Sequence, residues 1–370
     1  MRPLGRSGIN VSDIGFGCWA IGGPLGSNGK AIGWGEVDDD ESTTAIRRAL
    51  DAGITFFDTA DVYGAGHSER VLGRALGDTR DHVVIATKFG YTFDSTTRQL
   101  IGTNTSADYA RSACDASLAR LGTDHIDLYQ LHDDGMPFER VDEMLAILES
   151  LVDAGKIRAY GWSTDDPAGA ALFAAGPHCA ATQHEINVFD DAPKMLEVCA
   201  DHGIASINRG PLAMGLLSGK YTADSKLAQD DVRGNSPSWM RYYRDGSPAP
   251  EWLERLAAIR EVLAGNGRTL AQGALAWLLA RAPHDSPHPR HPHQGTSNRK
   301  RRHTNPRPAP SHGDGRDRTT TRPRASLTTR MNMRRRLAQG REVPLVNTKR
   351  NHAGRRGAST VGGSGDSIPR

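Results

Sequence analysis

The sequence predicts an α/β fold, a (β/α)8 barrel opened by an N-terminal β-hairpin and lacking a recognisable last β/α unit. Short apolar stretches alternate with amphipathic ones through residues 1–283. A glycine stands just past most of the amphipathic stretches, where a left-handed cap ends a helix and turns the chain back toward a sheet. The apolar stretches are bounded and do not alternate with polar residues, as expected of parallel strands covered on both faces. Right-handed crossovers between such strands leave two solutions, an open doubly wound sheet or a closed barrel.

The opening PLGRSGINVSDIGFG reads as a hairpin turning at Ser7 and Gly8 and leading into a first strand at 14–17. Helix 42–52, stopped by Gly53, precedes strand ITFFDT, and helix 68–76, stopped by Gly77, precedes HVVIATK. Helix 106–121 with Gly122 precedes IDLYQLH, and helix 138–154 with Gly155 precedes IRAYGWS. Helix 167–175 leads to AATQHE, and helix 193–202 with Gly203 leads to IASINR. That makes seven strands. An eighth belongs directly after TLAQGALAWLLARA, the last helix in the pattern, but there the composition changes.

Residues 284–370 hold 20 Lys and Arg against 5 Asp and Glu, whereas residues 1–283 hold 26 against 38. The near-neutral total of +3 thus joins an acidic body to a basic tail. The tail has no Phe, Trp or Tyr, so it lacks the large apolar groups that offset the entropy of ordering. Two parts are expected, a barrel at 1–283 and a disordered basic tail at 284–370. Cys18, Cys114, Cys179 and Cys199 form no CxxC pair, the chain opens without a signal-like segment, and no apolar run is long enough for a bilayer. A cytoplasmic protein with small buried thiols is the expectation.

Functional groups of a barrel collect where its strands end. Asp58, Lys88 and His132 each finish a strand, and Tyr63 lies in the loop after Asp58. A phenol titrates near ~10 and is a poor acid at neutral pH. An adjacent ammonium should lower that value and make the phenol a better proton donor. A carboxylate would fix the ammonium, and a histidine could orient a carbonyl oxygen. Such a quartet protonates a developing alkoxide and needs a cofactor to deliver hydride. Singly, a strand-end Asp caps a turn and a Tyr fills a core, so convergence on one rim carries the functional reading. Trp19 and Trp34 either line a substrate pocket or pack loops. Glu69 and Arg70 read as the start of a helix.

Together, FFDTADVYGAGHSERVLGRAL, IATKFG, DLYQLH and YGWST resemble the aldo-keto reductases, TIM-barrel oxidoreductases that use NADPH. The resemblance runs from about Leu4 to about Pro283. It implies reduction of an aldehyde or ketone to an alcohol, with Tyr63 as proton donor, Lys88 and Asp58 tuning it, and His132 orienting the carbonyl. It also implies that Ser163, Thr164 and Gln183 bind the nicotinamide carboxamide. Arg209 stands where the family usually stacks an aromatic on the nicotinamide, and a planar guanidinium can stack there too. In NRGPLAMGLLSGKY the backbone of Gly210, Leu212 and Gly215 and the side chain of Lys220 would meet the diphosphate. Thr164 departs from the Asn that the family often has. A small-molecule carbonyl is the expected partner, without a metal, a specific nucleic acid or a membrane; substrate identity and oligomeric state are left open.

Three further motifs are set aside. GFGCWA fits a dinucleotide fingerprint, but a glycine-rich loop follows it where a helix is needed. GLLSGKY has the wrong spacing for a Walker loop, and PHPRHPH offers a metal no fixed scaffold. The basic runs of the tail would meet nucleic acid only through phosphates. The family's eighth strand carries a motif close to I-P-G-x-R-T, and the helix after it grips the adenosine 2′-phosphate; neither is present. Residues 288–295, HPRHPHQG, can be encoded so that reading one nucleotide later gives IPGIRTKA. The tail is therefore expected to be an out-of-frame translation beginning near His284 and Asp285. Two alternatives to a working reductase follow. One is a cofactor-binding barrel without turnover, a regulatory subunit; the other is a defective reductase of low stability and weak NADPH affinity.

Overall fold

The strand stretches pair in the order in which the chain makes them. The strands are β1 (Phe16–Gly17), β2 (Phe56–Asp58), β3 (Val84–Phe89), β4 (Ile126–Leu131), β5 (Ile157–Ser163), β6 (Cys179–Glu185) and β7 (Ala205–Arg209). They form one sheet in sequential order, and every neighbouring pair is parallel. Helices α1 (Asp39–Asp51), α2 (His67–Leu76), α3 (Ala107–Leu121), α4 (Val141–Asp153), α5 (Pro167–Phe173) and α6 (Pro193–His202) make the crossovers. This is the βα repeat of a (β/α)8 barrel, through its seventh strand. The computed structural model describes residues 1–281, within which β1 and β7 are the edges of the sheet. The expectations of a missing eighth unit, of a boundary at 283/284 and of an out-of-frame tail fall outside the described residues.

Helix boundaries follow the caps. Asp38 accepts from the amides of Asp40 and Glu41, so α1 begins three residues before the expected 42, with its acidic first turn on the positive end of the dipole. Ser106 caps α3 and Asp166 caps α5. Gly122 and Gly203 take the left-handed cap conformation as expected. Gly77 does not: its ψ of −127° sends the chain into a 3-10 segment, Gly77–His82, before β3.

Side chains alternate across each strand, which divides the core in two. Phe56, Val84, Ala86, Leu128, Ala159 and Ala181 face the barrel interior, closed by Leu4, Ile9 and Val11 of the N-terminal hairpin. Arg2–Pro3 pairs with Asn10–Val11 in that hairpin. Phe57, Ile85, Phe89, Tyr129, Leu131 and Trp162 point outward, in one cluster with the helix residues Ile46, Leu72, Cys114 and Leu148. Each such fully buried side chain contributes roughly 1.5–3 kcal/mol. All four cysteines are buried, and none is joined in a disulfide.

Three elements were not legible. A small sheet pairs Lys30–Ala31, Gly26–Ser27, Gln99–Thr103 and Tyr91–Asp94. A hairpin joins Tyr243–Arg244 to Ser247–Pro248. Helix α7 (Pro250–Ala264) precedes the expected last helix, α8 (Leu270–Arg281). Among the described residues no helix is long and apolar enough to cross a membrane.

Candidate active site

One layer above the apolar interior, the same alternation places polar groups inward. Lys88 stands opposite Gln130, and Ser163 opposite Gln183. The Lys88 side chain is fully buried. Its ammonium donates to Asp58 Oδ2 at 2.7 Å, to the Thr59 carbonyl at 2.8 Å and to Tyr63 Oη at 3.2 Å. Three acceptors satisfy its three protons. The other oxygen of Asp58 accepts from Gln183 Nε2 at 2.8 Å and Gln130 Nε2 at 3.3 Å. A buried charge pair is tolerable only when both members are this well supplied.

The loop bearing Tyr63 is pinned on several sides. Ser68 Oγ bonds Thr59 Oγ1 and donates to the Cys18 carbonyl. Gly64 has a φ of 59°, and a Cβ there would collide with the backbone of Gly22. The two loops meet backbone to backbone, a contact that only glycine permits. Glu69 does more than open a helix. It is fully buried, accepts from Thr87 Oγ1 at 2.6 Å and pairs with Arg120, bracing β3 beside Lys88.

His132 completes the quartet. Its ring lies 5.8 Å from that of Tyr63 and 5.0 Å from that of Tyr91. Burial, with Lys88 and Arg209 nearby, pushes its pKa well below the usual histidine value, so the imidazole is neutral. Burial works against the Lys88 charge, but Asp58 and Tyr63 together raise its pKa and keep it an ammonium. At Tyr63 the expected direction is corrected. Burial raises the phenol, and Lys88 only opposes that rise. The resting site therefore holds a neutral phenol, a charged lysine and a neutral histidine.

Comparison with known proteins gives the family. The sequence profile of the aldo/keto reductase family matches residues 13–305. The chain belongs to the aldo/keto reductase family. Aldo-keto reductase YhdN of Bacillus subtilis (strain 168) is 34% identical over 281 residues, 75% of this chain and 80% of the relative. Aldo-keto reductase yakc [NADP(+)] of Schizosaccharomyces pombe is 31% identical, over 76% of this chain and 79% of its own. Among solved structures, the holo form of aldo-keto reductase AKR11C1 from Bacillus halodurans aligns with a TM-score of 0.60 at 30% identity, covering 76% of this chain and 82% of that one. Glycerol dehydrogenase AKR11B4 from Gluconobacter oxydans aligns at 0.61 and 33%, covering 74% and 80%. This aldo/keto reductase is thus an oxidoreductase by family, on the barrel that its strand order shows.

The remaining predicted residues of this aldo/keto reductase gather on the same rim. Ser163 ends β5 and Thr164 follows it, both buried, and Thr164 Oγ1 accepts from the Asp166 amide at 3.1 Å. Gln183, with its N–H on Asp58, keeps Oε1 as an acceptor. Arg209 ends β7 and is tied to Asp165. In the following loop Gly210 and Gly215 have φ of 64° and 90°, and Ala213 and Met214 are left-handed as well. The Gly215 amide donates to Leu212 O at 2.9 Å, and the Lys220 ammonium lies 5.7 Å from the Tyr221 ring centroid. Trp19 stacks on Tyr63 at 6.0 Å, and Trp34 packs edge-on against Trp19 at 5.3 Å, one ring removed from the phenol.

Several residues escaped the sequence reading. Gln130 was missed although it lies in β4 only two residues before His132, which follows the end of that strand. Asp165 was missed because nothing local marks it as the partner of Arg209. Trp239, 6.3 Å from Trp19 and 54% exposed, comes from a stretch without periodicity. The donor set suits a nicotinamide: hydroxyls at Ser163 and Thr164, an amide acceptor at Gln183 and a planar cation at Arg209. Gln130 Oε1 and His132 Nδ1 are buried without a partner among the described residues, a cost of ~1–3 kcal/mol each that a polar occupant or water would relieve. Among the described residues no group of three or more His, Cys, Asp or Glu is placed to hold a metal.

Proposed function

We propose that this aldo/keto reductase uses NADPH to reduce an aldehyde or ketone to an alcohol, with Tyr63 as the proton donor. The observation that carries the reading is the Lys88 ammonium, shared between Asp58 Oδ2 and Tyr63 Oη. When bound, the nicotinamide supplies a hydride to the carbonyl carbon. Tyr63 gives its proton to the carbonyl oxygen as negative charge develops there. The resulting phenolate already faces an ammonium at 3.2 Å, which offsets the raised pKa that burial gives the free phenol. His132, neutral, has an N–H to donate to the same oxygen and so orients the carbonyl.

Ser163, Thr164 and Gln183 would hold the carboxamide, and Arg209 would stack on the ring. The backbone of Gly210, Leu212 and Gly215 with Lys220 would take the diphosphate. The NADP(+) in the name of the Schizosaccharomyces pombe relative supports NADPH; the sequence after α8 carries no recognisable 2′-phosphate segment, and residues 282–370 lie outside the described ones. The substrate is a small carbonyl that reaches Tyr63 beside Trp19 and Trp34, and no metal is needed for this proton transfer. NADPH oxidation over a panel of aldehydes and ketones tests the reading. Turnover with at least one carbonyl is expected; tight NADPH binding without turnover across the panel would favour a regulatory barrel.

A further inference from the structure

We propose that Arg233 is a positioning residue that ties the loop after β7 to the aromatic wall over Tyr63, so that the two segments form and loosen together. That these segments serve cofactor and substrate rests on the function proposed above. The clamp itself rests on geometry. Arg233 lies in the one-turn helix Val232–Asn235, capped by Asp231. Its Nε donates to Asp231 Oδ1 at 2.9 Å and its Nη2 to Oδ2 at 2.6 Å, a fork on one carboxylate. Nη1 points elsewhere. It donates to Tyr221 Oη at 2.8 Å and to the Met214 carbonyl at 3.4 Å, both in the β7 loop.

The flat face of the guanidinium meets the other segment. Its central carbon lies 4.6 Å from the Trp34 ring centroid. Trp34 also bridges to Asp231, and the Val232 amide donates to Gly33 O at 2.8 Å. Trp34 packs edge-on against Trp19, which stacks on Tyr63. One side chain, only 11% exposed, thus touches a carboxylate, the β7 loop and the substrate wall.

The β7 loop has reason to need such a tie. Ala213 and Met214 hold φ of 48° and 54°, values that non-glycine residues rarely adopt and that persist only where surroundings enforce them. The Arg233 bond to the Met214 carbonyl is one such enforcement. A lysine keeps the charge but cannot fork on Asp231, bond the loop and stack on Trp34 at once.

Hydrogen exchange followed by mass spectrometry on the full chain tests the clamp without ligand. In Arg233→Met and Arg233→Lys, amides of residues 212–217 and 31–35 should both exchange roughly tenfold faster or more, while α3 and α4 keep their protection. Faster exchange confined to 231–236, or to only one of the two segments, would overturn the proposal. Adding NADPH to the unsubstituted chain should slow exchange in both segments, and in Arg233→Met only in 212–217. Protection of 212–217 that leaves 31–35 unchanged in the unsubstituted chain would also overturn it. NADPH that protects neither segment counts against the proposed function, and the ligand-free comparison still decides the clamp.

Discussion

Gln183 donates to one oxygen of Asp58 at 2.8 Å while Lys88 donates to the other at 2.7 Å. One carboxylate therefore joins the Lys88–Tyr63 half of the site to the half that would hold the nicotinamide under the proposed function. It fixes the ammonium beside Tyr63 and, at the same time, turns the Gln183 carbonyl to where it can accept.

That double role predicts an order of damage. Asp58→Asn leaves the Lys88 charge buried without its anion and should cost about 3–5 kcal/mol of stability, with a fall in kcat. Lys88→Met leaves Asp58 partly exposed and still bonded to Gln183 and Gln130, so it should cost less stability while lowering kcat as much. Urea unfolding and initial rates on the two variants check the order; equal stability losses would show that the pair is not held as described.

The pH dependence follows from the directions at His132 and Tyr63. The His132 pKa lies below its usual 6.5 in the folded chain, so its stabilising contribution is present above pH 6.5 and is lost as pH falls through the lowered value. The Tyr63 pKa lies above 10.0, so its contribution is present below pH 10 and is lost as pH rises through the raised value. Carbonyl reduction should stay level across neutral pH and drop only in strong alkali. Melting temperature against pH should show a shallower acid limb in His132→Gln than in the unsubstituted chain; superimposable limbs would remove His132 from this account of acid stability.

Trp239 gives a prediction about substrate shape. It is more than half exposed, so Trp239→Ala should change stability by no more than ~0.5 kcal/mol. It extends the aromatic wall from Trp19, so the same variant should raise KM for carbonyls bearing a large aromatic group and leave small aldehydes unaffected. An equal effect on both classes would place Trp239 outside the pocket.

Much of this was legible because a barrel puts chemistry at strand ends. Asp58, Lys88 and His132 could be found from strand boundaries alone, and Tyr63 from its place in the loop after Asp58. Gln130 was within reach of the same rule, two residues before His132 on the inner face. Arg233 and Trp239 were not, because residues 227–249 carry no apolar period and owe their positions to long-range packing. The direction at Tyr63 was also hidden. Sequence shows that a lysine is near, but how deeply the phenol is buried depends on Trp19 and on the Gly22–Gly64 contact. Strands of two residues, such as Gly26–Ser27, are too short for any pattern to mark.

The most direct test of the central claim compares the unsubstituted chain with Tyr63→Phe in NADPH-dependent carbonyl reduction. Loss of the phenolic proton should lower kcat by about 10²–10⁴-fold. Hydrogen-exchange protection of β3 and β4 should stay unchanged, since Tyr63 Oη is only one of three acceptors for Lys88. An undiminished kcat in Tyr63→Phe would contradict the assignment of Tyr63 as the proton donor.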